Sequence, residues 1–224
     1  LSVRGLVLLR ELLTTSSPTP IDIGPTPQAH AGAGIMSPSR SPGRAVLAAN
    51  AALFGAFMAF SVQRASGSED PRLLYPLLTL GTGIGLGSAL LVSEEWNVTT
   101  GDAWTIAGGA WWGAASGILI ANGRHVTPLT DRYAWGVGGG FIGLGLSIFS
   151  LTRHKADESD AVVVHSGAGL GLGLGALGNF FYTGDLEKTP YTGAGYGSAI
   201  GLLAGGTIAT FAQVSERSAR QHRP

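Results

Sequence analysis

The sequence predicts an all-α fold, a polytopic membrane bundle of six glycine-zipper helices built from 29- to 30-residue repeats. Three observations carry that prediction. Charge is scarce: 14 Lys and Arg with 14 Asp and Glu make up 12% of the 224 residues, about half the ~25% usual for soluble chains. Charge is also segregated into short connectors between long uncharged stretches. Finally, a helix-start signal recurs at a nearly constant interval, as internal repeats require. A hydrophobic content of 45% excludes a disordered chain. The absence of Cys excludes disulfide scaffolds, thiol catalysis and iron–sulfur clusters. The zero net charge offers no footprint for nucleic acid, so no nucleic-acid partner is expected.

Taken in order, residues 1–43 stand apart. Leu6 to Leu13 is too short to span a bilayer and is interrupted by Arg10 and Glu11, and 16–43 is rich in Pro, Ser, Thr and Gly. This composition predicts a flexible N-terminal segment. Residues 44–214 then hold six uncharged stretches, 45–63, 73–93, 103–123, 133–152, 161–184 and 189–215, which run from 19 to 27 residues. A hydrocarbon core ~30 Å thick needs ~20 helical residues, so each stretch matches one crossing. The remainder, 215–224, is a polar, basic tail.

Each stretch has its own start signal. Ser41, Asp70, Thr100, Thr130, Ser159 and Thr189 lie 29 or 30 residues apart, and all six side chains suit a helix N-cap. Pro42, Pro71, Asp131, Asp160 and Pro190 follow five of them. Pro at the first helical position loses no hydrogen bond, and Asp there complements the helix dipole.

Inside the stretches, small residues recur every fourth position: Ala51/Gly55/Ala59, Gly81/Gly85/Ala89, Gly109/Gly113/Gly117, Gly139/Gly143/Ser147, Gly167/Gly171/Gly175 and Gly197/Gly201/Gly205. On a helix each trio shares one face, which lets two backbones approach closely in lipid. In water such glycines would cost ~1 kcal/mol each relative to Ala. The competing reading is an outer-membrane β-barrel of about 12 strands. Gly81-Thr-Gly83-Ile-Gly85-Leu-Gly87 and Gly169-Leu-Gly171-Leu-Gly173-Leu-Gly175 alternate with period two, as lipid-facing strands do. Against it, the stretches are twice a strand's length and lack the polar positions of a lumen face.

Tyr75, Trp104, Tyr133, Trp135, Tyr182 and Tyr191 stand near stretch ends, where an interfacial aromatic belt is expected. Trp111 and Trp112 lie mid-stretch, and one is expected to meet lipid and the other a helix. Six crossings put both termini on one side. That side carries Arg40, Arg44, Arg153, Lys155, Arg217, Arg220 and Arg223, against Arg64, Arg72, Arg124, Arg132 and Lys188 opposite, which favours cytoplasmic termini.

Candidate chemistry is sparse. His165 is the one side chain within a stretch that titrates near neutrality, and a hydrogen-bonded role near the interface is expected for it. With Asn50 and Asn179 it makes a possible polar path, although single amides more often bond across helices. Gly138 to Gly143 and Gly173 to Gly178 both fit G-x-G-x-x-G, yet they lie inside uncharged stretches rather than at a strand-to-helix turn. Glu94, Glu95 and Asp102, like Asp157, Glu158 and Asp160, are expected to be solvated connector carboxylates. No cofactor, metal or catalytic constellation is expected.

The phrase Thr100-Gly-Asp-Ala103 followed by Gly109-Ala-Trp-Trp-Gly-Ala-Ala-Ser-Gly117 resembles glycine-rich repeats of uncharacterised bacterial membrane-associated proteins, over about 41–214. The resemblance implies a bacterial envelope protein and brings no activity with it. The expected role is structural: a non-enzymatic scaffold in the inner membrane, with the lipid bilayer, further copies of itself or other membrane proteins as partners. The packing residues are Gly55, Gly85, Gly109, Gly113, Gly117, Gly143, Gly171, Gly197, Gly201 and Gly205. A channel or small-solute transporter is the alternative.

Overall fold

The computed structural model describes residues 41–221 apart from 69 and 186–188, with side chains described as far as 212. Most of the N-terminal segment 1–43 for which flexibility is expected (1–40), Lys188 and the side chains of the basic tail lie outside the described residues. Six helices follow one another: α1 (Arg44–Ala65), α2 (Pro71–Glu95), α3 (Thr100–Gly123), α4 (Asp131–Arg153), α5 (Glu158–Thr183) and α6 (Tyr191–Gln221). No strand occurs among the described residues, so the fold is an all-α bundle and the barrel alternative falls away. Period-two glycine is compatible with either state. What separates them is the uninterrupted apolar length and the caps at its edges.

The caps depart from a strict interval. Asp70 caps α2 as expected, accepting from the Arg72 N–H at 2.9 Å ahead of Pro71. α3 is capped by Thr99 rather than Thr100, and α5 by Asp157 rather than Ser159; each forms a capping box with an acid three residues on, Asp102 and Asp160. A box satisfies two orphan N–H groups where a single side chain satisfies one, which outweighs the repeat interval. Thr130 occupies the α4 cap without a side-chain bond. Ser41 caps nothing, because α1 begins after Gly43. Its hydroxyl instead lies 2.8 Å from the Ser93 carbonyl and 3.1 Å from that of Trp96, tying the start of α1 to the end of α2. At the far end of α5, Gly184 takes a left-handed conformation with φ 64° and closes the helix through its N–H to the Phe180 carbonyl.

Consecutive helices form three closely packed hairpins, α1/α2, α3/α4 and α5/α6. α3 is the hub. It meets α1, α5 and α6 as well as α4, whereas the backbone of α2 neighbours α1 alone, and α4 does not reach α6. α1, α2, α4 and α5 are long and apolar enough to cross a membrane. Their outward faces carry Leu80, Ile84, Leu91, Phe141, Ile142, Leu170, Leu174 and Phe181, all exposed. Exposed apolar surface on this scale identifies a protein embedded in a membrane. α3 is not among these four, and 13 of its 24 residues are buried, Ala103 and Ala121 completely. A helix surrounded by protein does not need side chains that suit lipid.

The aromatics follow the same division. Tyr75, Trp104, Trp135, Tyr182 and Tyr191 are exposed near helix ends. Trp111 and Trp112 both meet neighbouring helices, contrary to the expectation that one faces lipid. Trp111 packs against Phe54 and Phe57 of α1, with ring centroids 5.3 and 5.6 Å away, and Trp112 turns toward α5. The central position of α3 leaves few of its directions open to lipid.

Asp157 makes one cap sensitive to acid. The Ser159 hydroxyl, 2.7 Å from its carboxylate, and then the Asp160 backbone N–H hold its pKa below the ordinary value near 3.8. A carboxyl lowered in the folded state stabilises the fold fully above its ordinary pKa, and that contribution is lost as pH falls through the lower folded value. The midpoint of thermal unfolding in detergent should therefore drop below about pH 4, and Asp157→Asn should flatten that part of the profile.

Candidate functional site

The hairpins are joined by seams in which glycine faces backbone. In the α3/α4 seam a methyl group added at Gly113 would collide with the Gly139 carbonyl, and one at Gly139 with the Gly113 carbonyl. Gly109 and Gly143 are related in the same way, and Gly117 faces the carbonyl of Trp135. In α5/α6 the reciprocal pairs are Gly171 with Gly197, Gly167 with Gly201, and Gly175 with Gly193, while Gly205 faces Val163. In α1/α2 they are Gly55 with Gly81, and Gly85 against the Ala51 carbonyl. The missing Cβ lies along a Cα–H bond, so each collision marks a C–H group aimed at a carbonyl oxygen. Such contacts add ~0.5–1 kcal/mol each.

A second set of glycines points elsewhere. Positions two apart on a helix lie about 200° apart around its axis, so the period-two runs place glycine on two opposed faces. Gly83 and Gly87 of α2, Gly138 and Gly145 of α4, and Gly169 and Gly173 of α5 have nothing within 4 Å of an added Cβ. Spacing four picks out the inward set. The outward set was present in the same runs, but the sequence could not say which face the chain itself would cover.

His165, Asn50 and Asn179 are not brought together. α1, which carries Asn50, makes no contact with α5, which carries the other two. The Asn50 amide donates back to the Val46 carbonyl of its own helix at 3.0 Å. Asn179 packs beside Gly193. His165 joins α5 to α3: Trp112 Nε1 donates to its Nδ1 at 3.0 Å, and its Nε2 lies 3.2 Å from the Trp104 carbonyl. Indole N–H only donates and a carbonyl only accepts, so these partners define a neutral ring with its proton on Nε2. The ring sits over Gly108, where an added Cβ would lie 3.0 Å from Nε2.

Two connector carboxylates are buried rather than solvated. Asp102 is 3% exposed. It accepts from the Thr99 N–H at 3.1 Å and the Ala156 N–H at 2.9 Å, and pairs with Lys155 at 3.3 Å. Thr99 Oγ1 donates to the Ala156 carbonyl, and Lys155 Nζ to that of Asn97. One side chain thus caps α3 and fastens the α4–α5 connector to it. Asp160, also buried, accepts from the Asp157 N–H at 3.0 Å. The contacts of Asp102 with Lys155 and Ala156 leave no signal in the sequence, since they span more than fifty residues.

Beside this end, α4 and α6 flank α3 without meeting and leave a lateral groove of about 370 Å³. Its walls are mainly apolar, with Leu146 and Leu151 from α4 and Leu202, Leu203 and Phe211 from α6. Thr105 of α3, Val164 of α5, His154 and Asp160 also line it. The Thr105 hydroxyl and His154 Nδ1 are buried without a hydrogen-bond partner. Comparisons with protein-family models, curated proteins and solved structures found no match to the chain.

The two sets of glycine should respond oppositely to a methyl group. Gly113→Ala or Gly171→Ala must push two backbones apart, and a loss of about 1–3 kcal/mol is expected from overpacking. Gly173→Ala should leave stability unchanged or raise it by up to ~1 kcal/mol through helix propensity. Thermal unfolding followed by circular dichroism in detergent measures both.

Proposed function

We propose that the protein is a non-enzymatic scaffold of the bacterial inner membrane, associating with further copies of itself or with other membrane helices through its outward glycine faces. The observation that carries this reading is the open space beside Gly83, Gly87, Gly169 and Gly173 on helices otherwise covered by large apolar residues. Glycine lowers helix propensity by ~1 kcal/mol relative to Ala, and these positions contribute nothing to the chain's own seams. A close-approaching partner helix would make use of them, as small residues do at helix interfaces in lipid. The inward glycines, Gly113 and Gly201 among them, are engaged within the chain, so association falls to the outward set.

Gly83→Leu combined with Gly173→Leu is expected to convert an oligomer into monomers in mild detergent while helical content and melting stay near wild type. Size-exclusion chromatography with light scattering reads the mass. Equal masses for the variant and the wild type would overturn the reading.

Charge distribution supports cytoplasmic termini. The chain has no Cys, so single thiols report orientation without background. Thr127→Cys should react with a membrane-impermeant maleimide added outside spheroplasts, and Asn97→Cys only after permeabilisation. The reverse pattern would invert the orientation.

A further inference from the structure

We propose that the groove between α4 and α6 is a binding site for an uncharged single-chain membrane lipid whose head carries hydroxyl or ester groups, as a monoacylglycerol does. The inference is independent of the scaffold reading, since the groove contains none of Gly83, Gly87, Gly169 and Gly173, on which that reading rests.

The polar end of the groove determines the head. Thr105 is 6% exposed, and its hydroxyl has no partner within the chain. His154 Nδ1 is likewise buried and unpartnered. Both residues line the same groove. An unmade hydrogen bond at a buried polar atom is unfavourable, and a ligand able to donate and accept would supply it. The charges nearby are already matched: Lys155 pairs with Asp102, and Asp160 accepts from the Asp157 N–H. An anionic or cationic head would have to disturb these pairs, whereas a hydroxyl or ester meets a hydroxyl and an imidazole without doing so.

The remainder of the groove determines the tail. Leu146, Leu202, Leu203 and Phe211 line it, and Leu203 and Phe211 are 54% and 74% exposed at its edge. Because the backbones of α4 and α6 stay apart, the mouth opens sideways from the bundle toward the hydrocarbon layer. A volume of about 370 Å³ equals that of roughly a dozen waters in the liquid. That holds a small head and the first part of one chain rather than a complete two-chain lipid.

The test uses the full chain purified in detergent and a monoacylglycerol carrying a diazirine near the head of its acyl chain. Photolysis followed by peptide mass spectrometry should locate saturable labelling on the α4 segment 146–151 and the α6 segment 202–211, displaced by unlabelled monoacylglycerol. Thr105→Val keeps the side-chain shape and removes the hydroxyl, so the fold should persist while capture falls about five- to tenfold, the equivalent of one hydrogen bond. Leu203→Trp should abolish capture by filling the groove. A phosphatidylglycerol bearing the same diazirine should label these segments no more than the other lipid-facing helices. Labelling spread evenly over the outer faces, or capture indifferent to both Thr105→Val and Leu203→Trp, would overturn the site. Preferential capture of phosphatidylglycerol would overturn the uncharged head.

Discussion

Backbone-to-backbone contact at glycine is the constraint on which the rest of the bundle depends. Where Gly113 meets Gly139 and Gly171 meets Gly197, no side chain separates the helices, and their distance is set by main-chain atoms alone. In lipid there is little hydrophobic gain from pairing two apolar helices, so close packing and weak C–H···O contacts must hold them. Those terms fall off steeply with distance. Glycine is therefore concentrated where the distance is shortest, and its poor helix propensity matters less in a medium where an unpaired backbone group is far more costly.

Close hairpins then dictate the arrangement around α3. A helix in contact with four others cannot carry bulky residues on every side, and its buried positions are Gly, Ala, Ser and Thr together with Asp102. Larger side chains of α3 point toward its other neighbours. Trp111 fills the space toward the phenylalanines of α1, and Trp112 reaches the imidazole of α5. The same geometry that seats α3 against α4 on one side and α6 on another keeps α4 and α6 apart, which is the physical origin of the lateral groove.

Polar chemistry is confined to the helix ends for a related reason. Every helix leaves N–H groups unpaired at its start, and near an apolar medium these need protein partners. Asp102 and Asp160 supply them through capping boxes, and Asp102 also secures the next connector through Ala156 and Lys155. The expectation of solvated carboxylates fails for two reasons: Asp102 satisfies Ala156 and Lys155 of another connector, more than fifty residues away, and Asp160 closes a capping box with Asp157 of its own connector. The strict repeat interval misplaced the caps of α3 and α5 in the same way, by ignoring the acid three residues on.

By itself the sequence determined the medium, the number of helices and the small strips along them. Charge segregation over stretches of membrane-crossing length and glycine at spacing four are local properties, fixed by what a single helix can tolerate in lipid. Tertiary structure alone decided which strips pair with each other and which remain outward, that α3 lies in the centre, and that Asn50 stands apart from His165 and Asn179. It also decided that Thr105 and His154, unremarked in the sequence, share one groove. These depend on how helices are placed side by side, and a periodic pattern gives the direction of a face without saying what will stand opposite it.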